Sequence, residues 1–367
     1  MSSTKLLFKM WTASAEPPQF KGGFICSIAK KHGARTAAGI MRGIMLLDVL
    51  GKLHHGLLRR RLLPWAAQNR LDTQFGGFKG QQTIFASLLL RSYARVVEAK
   101  QVSLAIVFVD VKNAFHCLLR QHAFATTDQF PLKLQQVLTA EGLEVDKLTA
   151  DIGHHASAFE QAPPTVARLM KDAHCNTWFT CPGSTKCFEA TRGSRPGSPI
   201  ADLAYNVMMS FLLKELQTAL HQLPLLQQAN CFLECSSPTV AWVDDIALPL
   251  PCLQASDLDA LLESAMGEIH RVFRGYGLRL NCTAGKTEAI VQYRGPGAPE
   301  RRKARFIDGY GRLDVPGHDS LHIVTHYTHL GIVVAQSCDL RQDLRIKVGG
   351  HLRCLSKHEQ NIAKLYS

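Results

Sequence analysis

The sequence has no apolar run near the ~18 residues that a membrane-spanning helix needs, no internal repeat and no low-complexity block. Its first residues, MSSTKLLFKMWTASA, bring only Leu6, Leu7 and Phe8 together before Lys9 interrupts, too short an apolar stretch for a secretory leader. The 11 cysteines are odd in number and scattered from Cys26 to Cys354 without a repeating interval, which excludes a disulfide-stapled secreted scaffold and fits reduced intracellular thiols. His174, Cys175, Cys181 and Cys187, or Cys231 with Cys235, match no paired zinc-ligand spacing, so no zinc site is expected. Acids are also in deficit. Asp and Glu total 30 against 42 Lys and Arg, a formal charge of +12, which favours a polyanionic partner such as nucleic acid but names no reaction. These absences describe a soluble intracellular protein, not a membrane one, with no signal that separates nucleus from cytoplasm.

What is present is enough for a sizeable core: 367 residues, 46% hydrophobic and 20% charged, the length of about two average domains or one multi-lobed catalytic unit. Residues 1–19, with Pro17 and Pro18, read as an irregular lead-in. Met45, Leu46, Val49, Leu50, Leu53, Leu57 and Leu58 recur at helical spacing and end in Arg59, Arg60 and Arg61 near Pro64. A second helix is predicted after Gly80. LAIVFVD, Leu104 to Asp110, reads as a strand buried on both faces with an acid at its end. Residues 120–176 read as interrupted helices, and 177–190 as a hairpin turning at CPGS. Ser198 and Pro199 suit the start of a helix whose apolar face carries Ile200, Leu203, Val207 and Phe211. TVAWVDDIALPL predicts a hairpin with Asp244 and Asp245 at its tip. A helix from Leu258 to Phe273, the strand EAIVQY, a surface loop PGAPERRKARF and a strand from Tyr327 to Val334 complete an α+β pattern with a central sheet.

Successive residues of a straight strand point to opposite faces, so Asp244 and Asp245 share a site only where the chain turns sharply. If the strand ending at Asp110 lies beside that hairpin, three carboxylates gather over one end of the sheet and favour hard divalent cations, magnesium first. Two such ions ~3.5–4 Å apart suit in-line phosphoryl transfer. An Asp-Asp pair alone is ordinary turn chemistry. What separates this one is a series of further landmarks in order.

FVDVKNAFH, Phe108 to His116, resembles motif A of reverse transcriptases; TRGSRPGSPIADLAYN, Thr191 to Asn206, resembles motif B; AWVDD, Ala241 to Asp245, resembles motif C. GLRLNCTAGKTE, Gly277 to Glu288, is similar to motif D, and YTHLGI, Tyr327 to Ile332, to motif E. Upstream, KGGFICSIAKK, MRGIMLLDVLGKLHHGLLRRRL and FGGFKGQQT resemble fingers segments of non-LTR retrotransposon enzymes. The resemblance, to the reverse transcriptase domain of non-LTR retrotransposons, covers about residues 20–335. It implies a right-hand polymerase fold with fingers and palm over 20–335, an antiparallel palm sheet, and a thumb short or absent, with 336–367 as its start or a C-terminal tail. It implies RNA-directed DNA synthesis, extending a primer 3′-hydroxyl with dNTPs on an RNA template, with DNA as primer or target. Partner proteins stay unspecified.

The same resemblance implies two Mg2+ ions, with Mn2+ able to substitute, held by Asp110, Asp244, Asp245 and the backbone carbonyl of Val111. Lys286 would protonate the departing pyrophosphate. Phe115, five residues past Asp110, would gate against the ribose 2′-hydroxyl. Arg42, Lys30 and Lys31 would meet the incoming triphosphate. Gly193 and Gly197 would let backbone approach nucleotide or template, and Leu330 and Gly331 would belong to the primer grip. Two departures stand out: Pro196 replaces the glutamine usual in motif B, and Trp242 the tyrosine usual in motif C. Two rivals remain, a retroelement relic that binds RNA without polymerising and an RNA-making polymerase, the latter disfavoured by Phe115.

Overall fold

A computed structural model of the protein describes residues 3–29, 41–124, 130–154 and 157–336. Helix α1 (Ser3–Ala13) precedes strands β1 (Gly22–Ala29) and β2 (Met41–Leu47); helices α2 (Val49–Asn69) and α3 (Thr83–Ala99) lead into β3 (Ser103–Val109). Short helices follow: α4 (Ala114–Cys117), α5 (Arg120–Phe124), α6 (Leu132–Ala140), α7 (Val145–His154) and α8 (Pro164–Ala173). Strands β4 (Thr177–Thr180) and β5 (Phe188–Ala190) pair as the expected hairpin. Helices α9 (Ala201–His221) and α10 (Pro224–Leu233) come next, then β6 (Val240–Trp242), β7 (Asp245–Cys252) and α11 (Leu258–Gly275). The described chain closes with β8 (Glu288–Gln292), α12 (Ala298–Lys303), β9 (Arg312–Leu313), β10 (Leu321–Ile323), β11 (His326–His329) and β12 (Ile332–Ala335). With 47% helix and 19% strand, the protein is α+β.

The chain divides into two compact units, each assembled from three segments. The first takes Met1–Gln81, Val111–Thr218 and Glu268–Leu280, and the second Gln82–Asp110, Ala219–Gly267 and Asn281–Ser367. In the first unit a four-stranded sheet runs in the order β2-β1-β4-β5, with β1 antiparallel to β2 and parallel to β4. Its main core is helical, with Leu58 and Leu62 of α2, Leu169 and Met170 of α8, and Leu203 and Val207 of α9 all buried together. A smaller cluster joins Leu119, Phe130, Leu134 and Leu138.

In the second unit a six-stranded sheet runs β6-β7-β3-β8-β10-β9. Strand β3 lies at its heart, antiparallel to β7 and to β8, and every one of its residues is buried, as its unbroken apolar run requires. Pro249 and Pro251 sit in β7 beyond the three residues that β6 covers, where that side of β7 is an edge and a missing N–H costs no ladder bond. Helices α3 and α10 pack against this sheet. Strands β11 and β12 form a separate hairpin over β3, where the Tyr327 ring stacks on Phe108 with centroids 4.3 Å apart.

Several local expectations are corrected. Ser3–Ala13 is a helix rather than an irregular lead-in. Met45 to Leu47 belong to β2, and the following helix starts at Val49 because Asp48 caps it, its carboxylate accepting from the N–H groups of Leu50 and Gly51. That helix runs through Pro64 to Asn69, held on both sides of the proline by Leu58, Leu62 and Ala66 in the core. PGAPERRKARF is not a loop: Gly297 adopts φ +76 and α12 begins behind it with a proline in its first turn. The strand predicted from Tyr327 to Val334 is two strands around a turn at Leu330 and Gly331, both at positive φ, the pattern of a two-residue type I′ hairpin. Among the described residues no helix is long and apolar enough to cross a membrane.

Three buried histidines make stability depend on pH. Burial lowers the pKa of His54 and pushes that of His329 down to about 4, and it holds His174 well below the ordinary value, with the charges of Arg195 and Arg120 acting the same way. The unfolded chain, with histidines near pH 6.5, then binds more protons than the folded one, so stability present above pH 6.5 is lost as pH falls below it. Urea unfolding at pH 5.5 should give a lower stability than at pH 7.5, by about 1 kcal/mol for each such ring. A flat profile between these pH values would show that the rings are not held neutral.

Candidate active site

The register of β3 against β7 brings the acids together. Val109 pairs with Ile246, so the next step along both strands sets Asp110 beside Asp245. Asp245 also closes the β6–β7 hairpin opposite Trp242, leaving Val243 and Asp244 as its two-residue turn. Val243 has φ +59, the only positive φ in the turn. This is the type II′ pattern, whose first position belongs to glycine; a β-branched residue there stores strain of about 1–3 kcal/mol.

The loop between α11 and β8 dresses Asp110 from every side. Asn281 donates its backbone N–H to the Asp110 carbonyl at 2.8 Å and its side-chain amide to Oδ2 at 2.9 Å. Thr287 Oγ1 accepts the backbone N–H of Asp110 at 3.1 Å. Lys286 Nζ donates to Oδ1 at 3.2 Å, with about half of its side chain in solvent. The Lys286 carbonyl in turn accepts the Tyr327 hydroxyl at 3.0 Å, so the β11–β12 hairpin braces the lysine loop. The carboxylates repel one another. Loss of hydration first, then the charges of Asp244 and Asp110, push the Asp245 carboxyl up to about 6 although its edge reaches solvent, while Lys286 acts in the opposite sense. Asn281 and Thr287 were not singled out in the sequence; their only local signal is their place within the segment similar to motif D.

The donor chemistry of this cluster fits a hard divalent cation: all three groups are carboxylates, and one already carries a cationic neighbour in Lys286. Among the described residues, however, no group of three His, Cys, Asp or Glu side chains is arranged to hold a metal ion as it stands.

In the first unit the segment similar to motif B is a clamped loop. Gly193 N–H donates to the Leu118 carbonyl at 2.8 Å and Ser194 N–H to the Phe115 carbonyl at 2.9 Å, while Met45 N–H donates to the Pro196 carbonyl at 2.7 Å. Gly193, Arg195 and Gly197 all have positive φ, and at Gly197, with φ +108, a side chain would meet the Met45 carbonyl. The loop lines a cavity of about 280 Å³ together with Ile25, Gly43 and Phe179. Phe115 is half-buried and packs on the Tyr205 ring, centroids 4.8 Å apart. Val111 pairs with Leu280 in an isolated bridge.

Arg42 lies in β2 opposite Ile28; its side chain, with Lys30 and Lys31, falls outside the described residues. Leu330 and Gly331 form the β11–β12 turn. Two of the basic residues grouped at 59–61 and 301–305 are committed internally: Arg59 pairs with Asp202 and donates to the Pro199 carbonyl at 2.8 Å, and Arg305 pairs with Asp259 at 2.6 Å. Arg61 lies over the Trp11 ring at 5.8 Å.

The protein is similar in fold to apo telomerase from Candida tropicalis truncated from its C-terminal domain, with a TM-score of 0.50 and 12% sequence identity. The match covers 92% of this chain, which spans 58% of the telomerase chain's length. At that identity the likeness is one of fold. No protein-family profile and no curated protein matches the sequence.

The strain at Val243 is testable without any assay of activity. Val243→Gly should raise folding stability by about 1 kcal/mol in urea unfolding, the relief of strain exceeding the entropy that glycine adds to the unfolded chain. A loss of stability would show that packing of the valine side chain outweighs its backbone strain.

Proposed function

We propose that the protein is an RNA-directed DNA polymerase of the non-LTR retrotransposon kind, a nucleotidyltransferase that extends a primer 3′-hydroxyl with dNTPs on an RNA template. The observation that carries this reading is the meeting of Asp110, at the end of β3, with Asp245 at the start of β7 and the turn that bears Asp244, beside Lys286. On this reading the second unit's sheet acts as the palm and the β1–β2 region as fingers, and the excess of basic residues serves the nucleic-acid backbone.

Asp110, Asp244 and Asp245, with the Val111 carbonyl, would hold Mg2+, or Mn2+ in its place. When bound, the ions would acidify the primer hydroxyl and offset charge on the leaving pyrophosphate. The chain's own residues supply the remainder. Asn281 and Thr287 fix the rotamer and backbone of Asp110, so that its carboxylate is presented without a search over conformers. Lys286, which donates to Asp110, would leave it and give its proton to the pyrophosphate oxygen as the bond breaks. Phe115 would serve as the gate against the ribose 2′-hydroxyl, because its ring cannot accept a hydrogen bond.

A second reading has an observation in its favour. The acids do not form a ready three-ligand group and Lys286 occupies Asp110, as in a retroelement relic that binds RNA without extending a primer. Primer extension on an RNA template separates the two. The polymerase reading expects dNTP incorporation that falls by about three orders of magnitude, ~4 kcal/mol of transition-state stabilisation, in Asp244→Asn. Template binding without any extension by the unaltered protein supports the relic. In the active protein, Phe115→Val should raise ribonucleotide incorporation about tenfold or more relative to dNTPs; unchanged sugar selectivity would remove Phe115 from that role.

A further inference from the structure

The segment before the first strand, read from sequence as lead-in, holds a buried acid that none of the chemistry above uses. Glu16 is 6% exposed. Its Oε2 accepts from His55 Nε2 at 2.9 Å, and His55 Nδ1 lies 3.1 Å from the Ser198 hydroxyl. His55 and Ser198 are themselves buried. The His55 ring thus bridges the Glu16 carboxyl and the Ser198 hydroxyl through its two nitrogens. Ser198 lies two residues past Pro196, which with Arg195 and Gly193 brings the clamped loop to the wall of the 280 Å³ cavity.

The same segment grips the loop a second time. Arg195 Nη1 donates to the Phe20 carbonyl at 3.2 Å, and among the described residues its Nε and Nη2 have no hydrogen-bond partner although the residue is 2% exposed. The Glu16 charge is among those that offset this buried guanidinium. The segment is in turn fastened from outside: Asp172 accepts the Glu16 N–H and the Lys21 ammonium, both at 2.8 Å, and Trp178 Nε1 donates to the Pro18 carbonyl at 2.8 Å. A buried carboxylate costs several kcal/mol of lost hydration, and apolar residues of similar volume would fill the space at lower cost. Its use here is orientation. The order Glu, His, Ser is not a hydrolytic triad, because Ser198 is buried and is absent from the cavity wall.

We infer that Glu16 is a positioning residue which acts through His55 on Ser198 to hold the 193–198 loop in the strained backbone that forms one wall of the 280 Å³ cavity. The kinetic part of this inference rests on the polymerase reading; the structural part does not. In Glu16→Gln, hydrogen–deuterium exchange of peptides covering residues 191–200 should speed up about tenfold or more while β3 keeps its protection. The KM for dNTP should rise about tenfold with kcat changed less than about twofold, because loop order is then drawn from binding energy. Ser198→Ala, which leaves Glu16 and His55 packed, should show the same two effects more weakly, and it decides the matter if Glu16→Gln does not fold. Unchanged loop exchange in the folded variants overturns the inference, and so does faster exchange spread equally over β3. If the unaltered protein extends no primer, the polymerase reading fails while loop exchange still decides whether Glu16 positions the loop.

Discussion

The pairing of β3 with β7 is the constraint on which the candidate site depends. An acid at the end of a fully buried strand has one free direction, outward past the sheet edge, and the antiparallel register there sets the tip of the β6–β7 hairpin beside it. A slip of one residue would send Asp110 to the other face and leave the turn without a neighbour. The core of β3 thus does chemical work at a distance: Leu104, Ile106 and Phe108 hold the register that makes the carboxylates repel one another.

Repulsion on that scale must be balanced, and the loop from Asn281 to Thr287 balances it. An amide donor and an ammonium converge on the Asp110 carboxylate, the Thr287 hydroxyl accepts the Asp110 N–H, and Tyr327 fixes the loop from the far side. The arrangement holds a reactive charge density in place without neutralising it completely, since Asp245 still titrates well above an ordinary aspartate. Strain at Val243 belongs to the same economy, a local cost borne by a sheet that over-determines the turn.

Within the first unit a comparable logic governs the 193–198 loop. Its positive φ values have no intrinsic preference behind them at Arg195, so backbone bonds from Met45, Ser194 and Gly193 and the buried Glu16–His55–Ser198 chain impose them. The two units therefore each carry one over-constrained feature, a turn in one and a loop in the other, on rigid secondary structure.

Much of this was legible locally. Period-two and continuous apolar patterns locate β3, β7 and β8, and turn chemistry places Asp244 and Asp245 at a tip, because those signals lie within a few residues of chain. The helix at Ser3–Ala13 and the cap at Asp48 emerge only in the folded protein, since Pro17 and Pro18 read as irregular chain and the apolar run from Met45 as helix. Local pattern alone fixes the buried central strands, most of the long helices, the order of the motif-like segments and the identity of the acids. Only the tertiary structure decided that Asn281 and Thr287 serve Asp110, that Arg59 and Arg305 are spent on Asp202 and Asp259, and that Glu16 reaches Ser198. Each of these contacts joins residues some 40 to 180 positions apart. No propensity or spacing rule spans such a gap; the contact exists because packing closes it.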